Sequence, residues 1–167
     1  MSDAVRSAYS AGLLMLARRE LSEAQIRQRL TRKEFEPAAI DEAVARLRKV
    51  KAIDDRRVAV SLARTETQVR TRGRGYVTRK LQSIGIGPEV AKEAIDEVFG
   101  TLDEPALLER ALARRLRGPG ARIQDQAHFR RLLNQLVSQG FKPSAVISAL
   151  KARSRRDAIV DEDEAGD

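Results

Sequence analysis

The chain has 167 residues, with 32 Lys and Arg against 24 Asp and Glu, for a formal charge of +8. It has no Cys and a single His, which excludes disulfides and a Cys/His zinc centre; with no Trp, two Tyr and four Phe, the core must come from Leu, Ile, Val and Ala, which suits helices. The longest uncharged apolar run, Ala11 to Ala17, is too short to span a bilayer. Asp3 lies upstream of it and Arg18-Arg19-Glu20 follow without a cleavage-type sequence, so a cytoplasmic protein with no membrane partner is expected.

In chain order, a helix is predicted from about Val5 to Arg19, with Leu13, Leu16 and Ala17 at helical spacing. Ser22 as N-cap and Gln25 at N3 form a capping box for a second helix that runs to about Lys33, and Leu21 and Ile26 form its hydrophobic staple. Pro37 opens a third helix at N1, with Ile40, Ala43, Val44 and Leu47 as its buried stripe. Asp54-Asp55 cap a fourth helix carrying Val58, Ala59, Leu62 and Ala63. A basic connector from Arg70 to Gly75 leads to a fifth helix that ends at Gly85, and Pro88 starts a sixth with Val90, Ala94, Ile95 and Val98. A seventh helix begins near Pro105 and is followed by a loop containing Gly118-Pro119-Gly120. The eighth carries Phe129, Leu132, Leu133 and Leu136 and ends at Gly140; Pro143 opens the last.

One apolar skeleton recurs through these elements. Leu30, Phe35, Pro37 and Ile40 are followed 51 residues later by Leu81, Ile86, Pro88 and Ala91, and 55 residues after that by Leu136, Phe141, Pro143 and Val146. Ala43, Ala94 and Ala149 keep the same offsets. A period near 50 marks an array of small units. The expected architecture is all-α, with three tandem three-helix repeats forming an elongated, curved array: residues 1–53, 54–102 and 103–156. Residues 157–167 are expected to be a disordered acidic tail.

Charge is placed unevenly on this frame. Six acidic residues and no basic ones lie from Asp157 onward; setting them aside leaves 32 basic and 18 acidic residues, a body of +14. Such a body attracts polyanions, and the dominance of Arg over Lys favours phosphate or carboxylate forks; charge serving only solubility is the alternative. The third helix of each repeat is a poor candidate to meet phosphate. Glu89, Glu93, Asp96 and Glu97 outweigh Lys92, and the first repeat's third helix presents Asp41 and Glu42. The second helices are basic instead: Arg27, Arg29, Arg32 and Lys33, then Arg79 and Lys80, then Arg130 and Arg131. With Arg70, Arg72 and Arg74 of the connector, these form the candidate binding surface.

Catalytic and metal chemistry find little footing. Neighbours such as Asp54 and Asp55 rarely point to one centre, and capping between units is the better reading. His128 lacks a partner His or Cys, so a surface or capping role is expected. Gly73-Arg74-Gly75 lacks the strand and the spacing of a phosphate-binding loop, leaving a flexible connector or a polyanion contact as open alternatives. No catalytic residue, metal site or cofactor is expected, and the chain is not read as an enzyme.

Several stretches resemble the RecX family, regulators of the RecA recombinase, over residues 8 to 153. They are Ile53-Asp54-Asp55-Arg56-Arg57-Val58-Ala59, the run from Arg72-Gly73-Arg74-Gly75-Tyr76 through Ile84-Gly85-Ile86, Phe129-Arg130-Arg131-Leu132-Leu133, and Gln139-Gly140-Phe141. The family usually has Gly-aromatic-Leu where this chain has Lys51-Ala52-Ile53, an aromatic where Val58 stands, and a glycine where Glu34 stands. The resemblance implies a tandem-repeat helical protein, without catalytic residues, that binds in the groove of the RecA–DNA filament. It implies suppression of ATP hydrolysis and strand exchange, in the regulation of DNA repair and recombination. Implied partners are the RecA filament and, more weakly alone, single-stranded and double-stranded DNA, with a monomer expected. A sequence-independent DNA-binding protein with no recombinase partner stands as the alternative.

Overall fold

A computed structural model describes residues 2–116 and 122–164, with side chains for 2–116 and 122–155. Among the described residues the chain is all-helical. The helices are α1 (Asp3–Leu16), α2 (Glu23–Thr31), α3 (Pro37–Lys49), α4 (Asp55–Arg64), α5 (Arg74–Ser83), α6 (Pro88–Phe99), α7 (Glu104–Ala113), α8 (Gln126–Ser138) and α9 (Pro143–Glu164). A π-helical turn, Thr65–Val69, extends α4. The expected Gly118-Pro119-Gly120 loop lies outside the described residues.

The chain divides into two compact units, residues 1–63 with 78–97 and residues 64–77 with 98–167. These units cut across the block boundaries at 53/54 and 102/103. The π-turn and the start of α5 belong with the C-terminal helices, while the rest of α5 and most of α6 belong with the N-terminal ones.

In the first unit α1 packs along α3 and α2 closes the third side. The core joins Ala8, Leu21, Ile26, Leu30, Ile40, Ala43, Val44, Leu47 and Ile53, each no more than 5% exposed. Both staple residues and the whole α3 stripe are among them. Burying each Leu or Ile side chain here contributes about 1.5–3 kcal/mol. Helices α1 and α3 approach closely enough that a Cβ on Gly12 would stand 2.7 Å from Leu47 Cδ1. Ser22 caps α2 through the amide of Gln25, in the expected capping box. In the second unit α7, α8 and α9 pack on one another around Leu107, Leu108, Leu132, Leu136, Val146 and Leu150.

The recurring skeleton has a local cause. At the end of α2, Phe35 N–H donates to Leu30 O (3.3 Å) and Glu34 N–H to Thr31 O (2.9 Å). At the end of α5, Ile86 N–H donates to Leu81 O (3.1 Å) and Gly85 N–H to Gln82 O (3.0 Å). At the end of α8, Phe141 N–H donates to Leu136 O (3.3 Å) and Gly140 N–H to Val137 O (2.9 Å). Each is a Schellman motif, in which a residue of positive φ reverses the chain and an apolar pair closes over the turn. The apolar pairs are Leu30 with Phe35, Leu81 with Ile86, and Leu136 with Phe141. The proline two residues on is the first residue of the next helix: Pro37, Pro88 and Pro143. The positive-φ positions are Glu34 (φ 62), Gly85 (φ 78) and Gly140 (φ 90). Glu34 thus adopts the left-handed conformation where the resemblance expects glycine. Lys51 does the same (φ 55) at the end of α3, where Ala52 N–H donates to Leu47 O (2.9 Å).

Two differences from expectation have physical reasons. Helix α1 starts at Asp3 and stops at Leu16, because Ser2 accepts from Val5 N–H as an N-cap and the turn from Ala17 follows. The acidic segment expected to be disordered from Asp157 continues α9 as far as Glu164. Extending a formed helix fixes one residue per added hydrogen bond, without repeating the nucleation cost.

Candidate interaction surface

The basic side chains from Arg27 to Lys33 split into two groups. Arg27 is engaged internally: its Nε donates to Glu23 Oε1 (2.9 Å) and it pairs with Asp41 of α3 at 2.5 Å. Those hydrogen bonds, Asp41 first and Glu23 second, hold its guanidinium above its ordinary pKa. Arg29, Arg32 and Lys33 form no ion pair among the described residues; Arg32 and Lys33 are exposed and Arg29 half-buried. Arg29 of α2 and Lys33 in the turn after it join Arg18, Arg19, Ala11, Leu14 and Met15 around a groove of about 410 Å³. Arg18 and Arg19 were not anticipated as site residues. The signal was present in the sequence: positions 11, 14, 15 and 18 share one helical face.

The connector before α5 is built differently. Arg70 pairs at 2.9 Å with Glu66, whose side chain is 4% exposed within the π-turn. Arg72 lies over the Tyr76 ring, 4.8 Å from its centroid. Arg74 reaches Glu104 at 3.4 Å and lies over Phe99, also 4.8 Å from the centroid. The backbone is held too: Gly73 N–H donates to Gln139 O (2.8 Å) and Gly75 N–H to Gly140 O (3.0 Å). That contact requires glycine on both sides. A Cβ on Gly73 would stand 2.6 Å from the Gly140 carbonyl carbon, and one on Gly140 would stand 2.0 Å from Tyr76 N. Of the two readings left open, flexible connector or polyanion contact, the first does not describe this geometry. Arg114 adds hydrogen bonds to Val69 O (3.0 Å) and Thr71 Oγ1 (3.4 Å). Arg115 donates to Ala111 O (3.0 Å), and burial, then the nearby charge of Arg72, pulls its pKa down.

The other expected site residues are distributed along α5 and α8. Arg79 is exposed and has internal interactions; Lys80 is half-buried beside Arg19, Glu20 and Ser61 in a shallow pocket of about 280 Å³. Arg130 and Arg131 are exposed and form no ion pair among the described residues. Several acidic residues of the third helices are neutralised locally, Glu42 by Arg46 (2.7 Å), Asp96 by Lys92 (2.7 Å) and Glu97 by Arg56 (3.0 Å).

The paired aspartates act as caps at two different helices. Asp54 Oδ1 accepts from Arg57 N–H (2.9 Å) at the start of α4, and Asp55 Oδ1 accepts from Glu23 N–H (2.8 Å) at the start of α2. Burial raises the Asp55 carboxyl above its ordinary pKa. His128 sits in the first turn of α8, where its N–H donates to Asp125 and its Nδ1 accepts from Gln124 N–H (3.3 Å). No group of three or more His, Asp, Glu or Cys positioned to hold a metal occurs among the described residues, and no helix there is long and apolar enough to cross a membrane.

An all-helical chain whose cations line grooves and exposed helix faces has the form of a helical binding protein, and comparison with known proteins narrows that class. A sequence profile described as "RecX, first three-helix domain" matches residues 8–47. The regulatory protein RecX of Syntrophotalea carbinolica is 33% identical over 143 residues, covering 84% of this chain and 91% of that protein. RecX of Geobacillus kaustophilus is 29% identical over 151 residues, and this chain spans only 55% of its length. A crystal structure of regulatory protein RecX shares the fold at TM-score 0.73, with 24% identity, over 90% of this chain and 72% of that one. RecX from Lactobacillus salivarius shares it at 0.70, with 19% identity, over 91% and 99%. The chain belongs to the RecX family, which is a family of regulatory proteins and not of enzymes.

Proposed function

We propose that this chain modulates the RecA recombinase by stoichiometric binding to the RecA–DNA filament, suppressing ATP hydrolysis and strand exchange. Membership in the RecX family carries this reading, and the +14 body supports it, since a filament on DNA is a polyanion. The binding role is assigned unit by unit: in the first unit to Arg29, to Arg32 and Lys33 after α2, and to Arg79 and Lys80 of α5; in the second unit to Arg130 and Arg131 of α8. Arg70 and Arg74 already satisfy carboxylates within the fold, so their share in binding is secondary.

Titrating the chain into RecA hydrolysing ATP on single-stranded DNA tests this. Hydrolysis should fall as the chain approaches a fixed ratio to filament subunits; an unchanged rate at saturating chain would overturn the reading. Sequence-independent DNA binding alone is the rival. It predicts binding to naked DNA that falls steeply with salt and no retention on RecA in the absence of DNA.

A further inference from the structure

The groove between α1 and α2 has two features that a merely solvated surface lacks. Its apolar lining is aliphatic, Ala11, Leu14 and Met15, and Leu14 stands 69% exposed. Its rim carries Arg18, Arg19, Arg29 and Lys33, with no carboxylate among the lining residues. None of the four cations forms an ion pair among the described residues, whereas Arg27, two residues from Arg29, has two. Long cationic side chains often lay their stems over apolar surface, yet here Leu14 is left open between them.

We propose that this groove docks a short acidic segment of a partner protein, anchored by an aliphatic side chain over Leu14 and Met15. Charge complementarity fixes the sign of the occupant, and guanidinium forks match carboxylates well. The apolar lining fixes its class. Single strands of nucleic acid bound without sequence preference combine phosphate contacts with stacking of their bases on aromatic rings, and the residues lining this groove include no aromatic side chain. Its volume of about 410 Å³ suits one or two anchoring side chains with their flanking charges. The proposal deepens the function proposed above and rests on it only in giving Arg29 and Lys33 a binding role: it turns them toward protein, leaving phosphate to other cations.

The test is fluorescence polarisation with a labelled peptide of alternating Asp and Glu around two leucines, set against the same peptide with the leucines replaced by serine and against labelled oligothymidylate. The leucine peptide should bind, and the serine peptide should bind at least about tenfold more weakly. Leu14→Gln, at an exposed position where folding is not at stake, should weaken the leucine peptide about tenfold and leave oligothymidylate unchanged. Arg29→Gln with Lys33→Gln should weaken the leucine peptide by a similar factor. Equal binding of the leucine and serine peptides, or indifference to Leu14→Gln, would overturn the proposal. So would oligothymidylate binding that falls with the Arg29 and Lys33 changes while the peptide does not bind. Failure here with RecA inhibition intact removes only the groove; peptide binding without RecA inhibition removes only the function proposed above.

Discussion

The segment from Arg27 to Lys33, at the end of α2, and that from Arg70 to Arg74, at the start of α5, each place several cations within a few residues, and their side chains have opposite surroundings. In the first segment only Arg27 is engaged by carboxylates, and Arg29, Arg32 and Lys33 face groove or solvent. In the connector Arg70 and Arg74 meet carboxylates, Arg72 and Arg74 cover aromatic rings, and the backbone is bonded to the turn after α8. Density of positive charge in a sequence therefore does not identify a binding face. What separates the two segments is whether buried or nearby acidic groups have already claimed the cations.

The sharpest way to break this contrast is at the connector's backbone. Gly140→Ala forces a Cβ to 2.0 Å from Tyr76 N at a φ of 90, so destabilisation of about 3 kcal/mol or more is expected in urea melts, concentrated in the second unit. Next is Arg70→Gln, which leaves the Glu66 carboxylate without its cation in a 4% exposed position. Because Arg70 is itself half exposed, a loss of about 1–2 kcal/mol is expected, against less than about 0.5 kcal/mol for Arg32→Gln. Equal effects of these two changes would erase the distinction between the segments.

Smaller effects sharpen the first unit's side. Glu34→Gly and Lys51→Gly each relieve a side chain from the left-handed region, and each should raise stability by about 1 kcal/mol in thermal melts. Asp55→Asn should act through pH. Burial holds the folded carboxyl above the ordinary value of 3.8, ahead of the opposing hydrogen bond from Glu23 N–H. The folded chain then binds this proton more tightly than the unfolded chain, so this residue's contribution to stability falls as pH rises from 3.8 through the raised value. Asparagine keeps an acceptor for Glu23 N–H and does not titrate. Denaturation of the variant between acid and neutral pH should show a flatter profile and no loss at neutral pH.

The helices and their turns were legible because their signals are local. Ser22 with Gln25, Pro37, Pro88, Pro143, Gly85 and Gly140 each act within one turn of helix. Even the period of 51 and 55 residues reduces to one repeated local motif, a Schellman turn followed by a helix-starting proline. The π-turn at Thr65–Val69 was not legible, since its widened ladder surrounds the buried Glu66, which in sequence looks like a surface residue. Nor was the locked state of Arg70 to Arg74, which depends on Glu104, Phe99 and the backbone of Gln139 and Gly140, all distant in the chain. Asp55 was readable as a cap between elements, but its recipient, the first turn of α2, required the fold.

The most direct test of the division between claimed and available cations is RecA ATP hydrolysis on single-stranded DNA, titrated with a variant carrying Arg32→Glu, Lys33→Glu, Arg130→Glu and Arg131→Glu. These positions are exposed and form no ion pair among the described residues, so the variant should melt like the parent chain. Inhibition should weaken by at least about tenfold, as expected when several contacts of about 0.5–1 kcal/mol each turn repulsive. A variant that folds normally and inhibits as strongly as the parent chain would contradict the assignment of these helix faces to the filament.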